Sequence, residues 1–191
     1  MWVVKLGGSL GRDPRLKSWL RFLACPGWRK VVVPGGGAFA DQVRESQSYW
    51  HFNDRTAHRM ALLAMQQYGW LLAGIEPALI PVTGAAAVRS RFRYRRPVLW
   101  LPDFDELERA RIPDSWSVTS DSLAAWLARR LNAEGVVLVK AAPIVTQRID
   151  RLQRRGIVDA AFRRWLGDER RCRVFSVADL YRFKDWIRRS I

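Results

Sequence analysis

Two short apolar runs constrain this chain more than any other feature. Each ends in a cluster of glycines, and each is followed by a helical pattern. Trp2-Val3-Val4-Lys5-Leu6 runs into Gly7-Gly8-Ser9, and Arg29-Lys30-Val31-Val32-Val33-Pro34 runs into Gly35-Gly36-Gly37-Ala38-Phe39-Ala40. A strand that turns through glycines into a helix brings backbone N–H groups and the positive end of a helix dipole to one point. An anion can approach that point closely. Lys5, at the end of the first run, can reach the same anion. The other reading of this segment is a buried first strand, a tight turn and a lysine that snorkels to the surface. Neither glycine cluster is a P-loop, because neither ends in Gly-Lys-Ser/Thr. The second fits the loose dinucleotide pattern at Gly35, Gly37 and Ala40. The acid at roughly the required separation, Asp54, lies in a helical pattern rather than at a strand end.

The rest of the chain repeats the alternation. Leu10, Leu16, Trp19, Leu20 and Leu23 mark one helical face that ends near Cys25-Pro26-Gly27. A helical stretch is expected near Asp41, with Phe39, Val43 and Tyr49 continuing the helical pattern after the glycines. Residues 54–68 predict a helix ending at Gly69, with Met60, Leu63, Ala64 and Gln67 on its apolar face. Residues 78–82, 98–101 and 136–139 read as further apolar strands. Residues 102–110 read as a short acidic helix, and residues 123–131 as a helix of about three turns. Apolar runs alternating with helices predict a three-layer α/β/α sandwich around a mostly parallel sheet, in a single domain spanning residues 1–191. The Arg89-Ser90-Arg91-Phe92-Arg93-Tyr94-Arg95-Arg96 stretch alternates arginine with aromatics. It is compatible with an extended hairpin, a lid over a phosphate ligand or a grip on single-stranded nucleic acid.

Charge and cysteine count narrow the partners. The 33 Lys and Arg against 18 Asp and Glu give +15, a balance that suits nucleotides, phosphorylated small molecules, RNA or an acidic protein. The arginines spread along the whole chain, as arginine-rich codon usage would also produce. Cys25 and Cys172 form neither a disulfide framework nor a metal-ligand pair, which fits free thiols in a reducing cytoplasm. No basic run precedes a long apolar stretch, so no signal peptide is expected, and no apolar run approaches the ~20 residues of a membrane span. Ten tryptophans with no repeat period predict a large core or a subunit interface, hence a homo-oligomer.

Val4-Lys5-Leu6-Gly7-Gly8-Ser9, Val33-Pro34-Gly35-Gly36-Gly37, Thr119-Ser120-Asp121-Ser122-Leu123-Ala124-Ala125 and Val136-Val137-Leu138-Val139-Lys140 occur in this order. The set resembles the amino acid kinase family, which includes aspartate, acetylglutamate, uridylate and isopentenyl phosphate kinases. The resemblance runs from residue 2 to about 140. Within the family, Asp54-Arg55-Thr56-Ala57-His58-Arg59-Met60-Ala61 and the short length are most similar to the small kinases of methanofuran biosynthesis, which phosphorylate an aminomethylfuran-methanol phosphate. The tail after about 140 departs from the pattern. There Gly156-Ile157-Val158-Asp159 takes the place of a glycine-rich segment but carries no lysine.

The resemblance implies ATP and Mg²⁺ as cofactors and a small phosphorylated substrate. It implies Lys5, Asp121 and Lys140 as catalytic residues, with Lys140 standing in for the missing lysine. Gly7, Gly8, Ser9, Gly36, Gly37 and Ser120 would contact ATP or phosphate; Gly35, Asp54 and His58 would contact the acceptor. Asp121 would orient the two lysines or help to hold Mg²⁺ with the phosphates. A plain helix-capping role for Asp121, and a surface acid–histidine pair for Asp54 and His58, are the structural alternatives. No residue set dedicated to metal is expected. His51 and His58 are the only histidines. A phosphate acceptor, with a second pKa of about 6, is already ionised at neutral pH and needs no general base. The other class compatible with +15 is a nucleotide- or RNA-binding module on the same fold.

Overall fold

The structure of the protein is a computed structural model, and it describes residues 1–91 and 96–190. Six strands form one all-parallel sheet: β1 (Trp2–Leu6), β2 (Lys30–Pro34), β3 (Ile80–Thr83), β4 (Val98–Leu101), β5 (Gly135–Lys140) and β6 (Cys172–Ser176). Their order is β3-β4-β2-β1-β5-β6. β1 therefore lies inside the sheet, with Val4 paired to Val32 on one side and to Val137 on the other. β1 and β2 are buried at every position, and β5 at all but its last residue. This is why these strands read as unbroken apolar runs rather than alternating ones.

Helices cover both faces, as the sequence predicts. One face packs α1 (Leu16–Ala24) and α9 (Leu180–Arg188) over Trp2, Val4, Leu6, Val137 and Val139. The other packs α6 (Ser120–Arg130), α7 (Ile149–Arg154) and α8 (Phe162–Leu166) over Val3, Val136 and Leu138. The remaining helices are α2 (Gly37–Trp50), α3 (Asp54–Ile75), α4 (Gly84–Arg91) and α5 (Phe104–Arg109). Because side chains alternate along a strand, Lys5 and Lys140 fall on the α6 face with Val3 and Leu138. Each fully buried Val or Leu in these layers contributes about 1.5–3 kcal/mol.

Several expectations are corrected. The first glycine cluster leads into a 3-10 turn, Gly8–Arg12, and α1 follows only at Leu16. α2 opens at Gly37, four residues before Asp41. α3 does not stop at Gly69 but continues to Ile75, and Leu63 lies outside, 55% exposed. Its buried face is Ala57, His58, Leu62, Ala64, Met65, Tyr68, Gly69 and Leu72. A side chain at position 69 would run into Leu101 and Leu99 of β4; this glycine serves close helix–strand packing. Arg89 to Arg91 close α4 instead of extending as a hairpin, and Phe92, Arg93, Tyr94 and Arg95 lie outside the described residues. The tail, whose sequence reads as two further helical patterns, carries a strand, β6, as well as helices.

Candidate active site

The two glycine loops meet backbone to backbone. Gly7 N–H donates to the Val139 carbonyl and Gly35 N–H to the Leu6 carbonyl, both at 2.9 Å. A Cβ on Gly8 would land on the Gly37 backbone, and one on Gly35 would land on Gly8. Gly37 has φ +58, in the left-handed region. Tyr68, buried beneath, packs against Gly11 and Gly37, and burial pushes its hydroxyl up to about 12. α2 starts at this junction with no side-chain cap. Its first-turn N–H groups and the positive end of its dipole are thus left for an anion.

Above the loops lies a cleft of about 220 Å³. Gly8, Ser9, Gly36 and Gly37 form its floor; Asp54 and His58 of α3 and Ser120 of α6 stand in its walls with Asp41, Arg44 and Trp116. Seven of the residues singled out in the sequence therefore line one cavity. Gly7 and Gly35 do not line it; their N–H groups fasten the loops to the strands.

Lys5, Asp121 and Lys140 stand deeper, at the carboxyl ends of β1 and β5 and the start of α6. Lys5 Nζ is 2.8 Å from Asp121 Oδ1, and Lys140 Nζ is 2.5 Å from Oδ2. Lys5 and Asp121 are 4% and 2% exposed. Burial alone would raise the Asp121 carboxyl, but the two ammonium groups outweigh it and hold its pKa at about 2. Burial draws Lys5 down to about 8, against the pull of Asp121. Ser120, beside Asp121, faces the cleft, so α6 links the triad to the cavity.

Both Asp121 oxygens are engaged by lysines. No cluster of three or more His, Cys, Asp or Glu that could hold a metal occurs among the described residues. Each Asp121 oxygen stands beside one ammonium group, an arrangement that can aim both lysines.

Asp54 and His58 face the same cleft without pairing. Asp54 Oδ1 accepts from Gln47 Nε2 at 2.9 Å, and Gln47 Oε1 accepts from Trp116 Nε1 at 2.6 Å. The Arg44 guanidinium lies over the Trp116 ring, 3.9 Å from its centroid. His58 points to Asp114 at 3.9 Å, and burial lowers its pKa, so it is neutral at pH 7. Asn53 caps α3 by accepting from Thr56 N–H, which leaves Asp54 free of that duty.

Sequence reasoning missed Asp159. It follows a glycine in the segment read as lacking a lysine, and its carboxylate reaches the start of α6. Arg44, Gln47 and Trp116 were missed as well. They carry no motif: Arg44 and Gln47 lie three residues apart on α2, and Trp116 reaches them from the segment before α6.

Comparison with known proteins agrees with this geometry. The Archaeoglobus fulgidus uridylate kinase structure superposes with a TM-score of 0.66 over 92% of this chain and 90% of its own, at 16% identity. The aspartate kinase of Synechocystis gives 0.66 over 93% of this chain and 38% of its own, also at 16% identity. In sequence, the chain is 28% identical over 140 residues to the [5-(aminomethyl)furan-3-yl]methyl phosphate kinase of Methanocaldococcus jannaschii. That match covers 72% of this chain and 64% of the archaeal kinase. The amino acid kinase family profile matches residues 1–153. The chain belongs to the amino acid kinase family, a family of phosphotransferases.

Proposed function

We propose that this chain is an ATP-dependent kinase that transfers the γ-phosphoryl group to a phosphorylated acceptor, with (aminomethyl)furanmethanol phosphate as the acceptor. The observation that carries the kinase reading is the buried Lys5–Asp121–Lys140 triad beside an uncapped helix start and a glycine-floored cleft. Phosphoryl transfer asks a protein chiefly for in-line positioning and positive charge on the moving oxygens. An acceptor phosphate oxygen, already ionised, attacks the γ-phosphorus. The bond to the β–γ bridging oxygen breaks, ADP departs, and a diphosphate results. Lys5 and Lys140 lie where they can hold the charge on the transferring group, and Asp121 keeps both ammonium groups aimed. Mg²⁺ would arrive with the nucleotide phosphates.

The specific acceptor is supported by the archaeal relative and by the charges in the cleft. Arg44 offers a planar donor for the acceptor phosphate, and Asp54 and Asp41 offer carboxylates for an aminomethyl cation. A coupled ADP-release assay with the aminomethylfuran phosphate, UMP and isopentenyl phosphate tests it, with Asp54→Asn alongside. The expected result is preference for the aminomethylfuran and a loss in Asp54→Asn on that substrate alone. Preference for UMP or isopentenyl phosphate overturns the acceptor and leaves the kinase class standing. No turnover with any acceptor, together with RNA binding that weakens steeply with salt, favours the binding module.

The homo-oligomer expectation carries over as part of this proposal. From Met60 to Ile75 α3 has no charged residue, and Leu63, Trp70 and Leu71 are exposed on it. In a chain of +15 this is an apolar stretch where close contact with a second copy brings no like charges of α3 together. Light scattering of the wild type and Trp70→Lys tests it.

No helix among the described residues is long and apolar enough to cross a membrane.

A further inference from the structure

Asp159 lies in the loop between α7 and α8, remote in sequence from every residue of the triad. Its side chain is nonetheless wrapped around the start of α6. Oδ2 accepts from Thr119 N–H at 3.0 Å, from Thr119 Oγ1 at 2.8 Å and from Ser122 N–H at 3.0 Å. Oδ1 accepts from Ser122 Oγ at 2.5 Å. These four donors sit on the residues two before and one after Asp121. Gln153 Nε2 in turn donates to the carbonyls of Asp159 and Ala160 at 2.9 and 2.8 Å, so the backbone that carries Asp159 is itself fixed.

Ordinary capping does not account for this arrangement. Thr119 is the N-cap residue of α6, and its hydroxyl oxygen already faces the Asp121 N–H at 3.4 Å. Asp159 adds a second clamp from outside the helix. It is also a half-buried carboxylate near Asp121, and two like charges in one site repel. Both ammonium groups, Lys5 and Lys140, pair with Asp121; Asp159 stands behind it, near enough for its charge to act on Lys5 as the weakest of the neighbouring charges.

We infer that Asp159 is a positioning residue for phosphoryl transfer: it fixes the first turn of α6 so that Asp121 stands between Lys5 and Lys140, and it adds a further negative charge near Lys5. The tail thereby contributes a carboxylate where the family resemblance implies a lysine. The inference rests on the kinase reading above for its catalytic consequence, but not for its electrostatic one.

Asp159→Asn keeps the size of the side chain and removes the charge. In an active enzyme the expected result is a roughly 10- to 100-fold fall in kcat, with the acceptor KM held within about twofold. Ser122→Ala, which removes one donor and no charge, should give a smaller fall in the same parameter. The second readout is NMR titration of ¹³C-labelled lysine side chains, of which the chain has five. The charged groups that act on Lys5 are Asp121 of α6, Lys140 of β5 and Asp159 itself. Loss of the Asp159 charge should move the Lys5 titration below its wild-type position near 8. An unchanged Lys5 titration, or an unchanged kcat in active enzyme, overturns the inference whatever happens to Tm. Should Asp159→Asn fail to fold, Ser122→Ala with kcat at the wild-type level overturns it equally. Should the wild type transfer phosphoryl to no acceptor, the kinase reading fails and the Lys5 titration alone decides the role of Asp159.

Discussion

Lys5 and Lys30 stand on neighbouring strands, at opposite ends of the same sheet. Both are buried, 4% and 2% exposed, and burial draws both pKa values down to about 8. Their surroundings differ completely. Lys5 faces the Asp121 carboxylate, with a second ammonium beyond it and the glycine loops alongside. Lys30 donates to the Cys25 carbonyl and lies 4.7 Å from the centroid of the Trp28 ring. A perturbed lysine is therefore no marker of a site by itself. What separates the two is convergence: opposite charge, a second cation and uncapped N–H groups brought to one point. Lys30 has only a carbonyl and an aromatic face, which satisfy it and lead nowhere.

The largest effect that would break this contrast is on Lys5. Lys5→Ala should lower kcat at least ~100-fold, because the ammonium stabilises charge in the transition state. Saturating-substrate assays that show near-wild-type turnover would remove Lys5 from the chemistry. Asp121→Asn comes next. It leaves the buried Lys5 ammonium and the partly exposed Lys140 ammonium without their counter-ion, a loss of roughly 3 kcal/mol in stability. For a chain of this size that is a fall of about 6–12 °C in Tm, read by calorimetry, together with reduced turnover.

The contrast also has a pH signature. Lys5 carries its proton only below about 8, so kcat should decline as pH rises through that value. The same depression from 10.5 means that the unfolded chain binds this proton more tightly. The Lys5 contribution to stability therefore grows between pH 8 and 10.5, while activity is lost. A pH–kcat profile flat to pH 10 would contradict the assignment. The smallest effect belongs to Lys30→Met. Turnover and its alkaline limb should match the wild type. Tm at pH 7 should not fall, since the variant no longer buries an ammonium and the exposed Cys25 leaves its carbonyl near water. A kinetic defect in Lys30→Met would dissolve the distinction.

How much of this could be read in the sequence follows from where burial leaves a trace. β1, β2, β4 and β5 are buried on both faces and write themselves as apolar runs. β6, at the sheet edge, reads Cys172-Arg173-Val174-Phe175-Ser176, and an arginine inside a short run after a polar stretch hides it. The apolar face of α3 was misjudged because residues 60–75 have little polar counter-face to set the phase. Gly69 was misread as a stop because a glycine needed for helix–strand contact looks the same as one that ends a helix. In the site, strand-terminal lysines and glycine loops announce themselves by spacing. Asp159 does not, since its partners are the hydroxyl and amide groups of Thr119 and Ser122, some forty residues away, and no local pattern encodes that meeting.

The position of β1 inside the sheet has a consequence in time. Its two neighbours are β2, made soon after it, and β5, made roughly 130 residues later. At synthesis rates of about 10 residues per second, one long edge of β1 waits on the order of ten seconds for its partner. An apolar edge with unpaired N–H and C=O groups can recruit other chains while it waits. Val3, Val4 and Leu6 would then be the stretch that a nascent-chain chaperone has to shield, and the yield of native protein should respond to translation speed between β2 and β5.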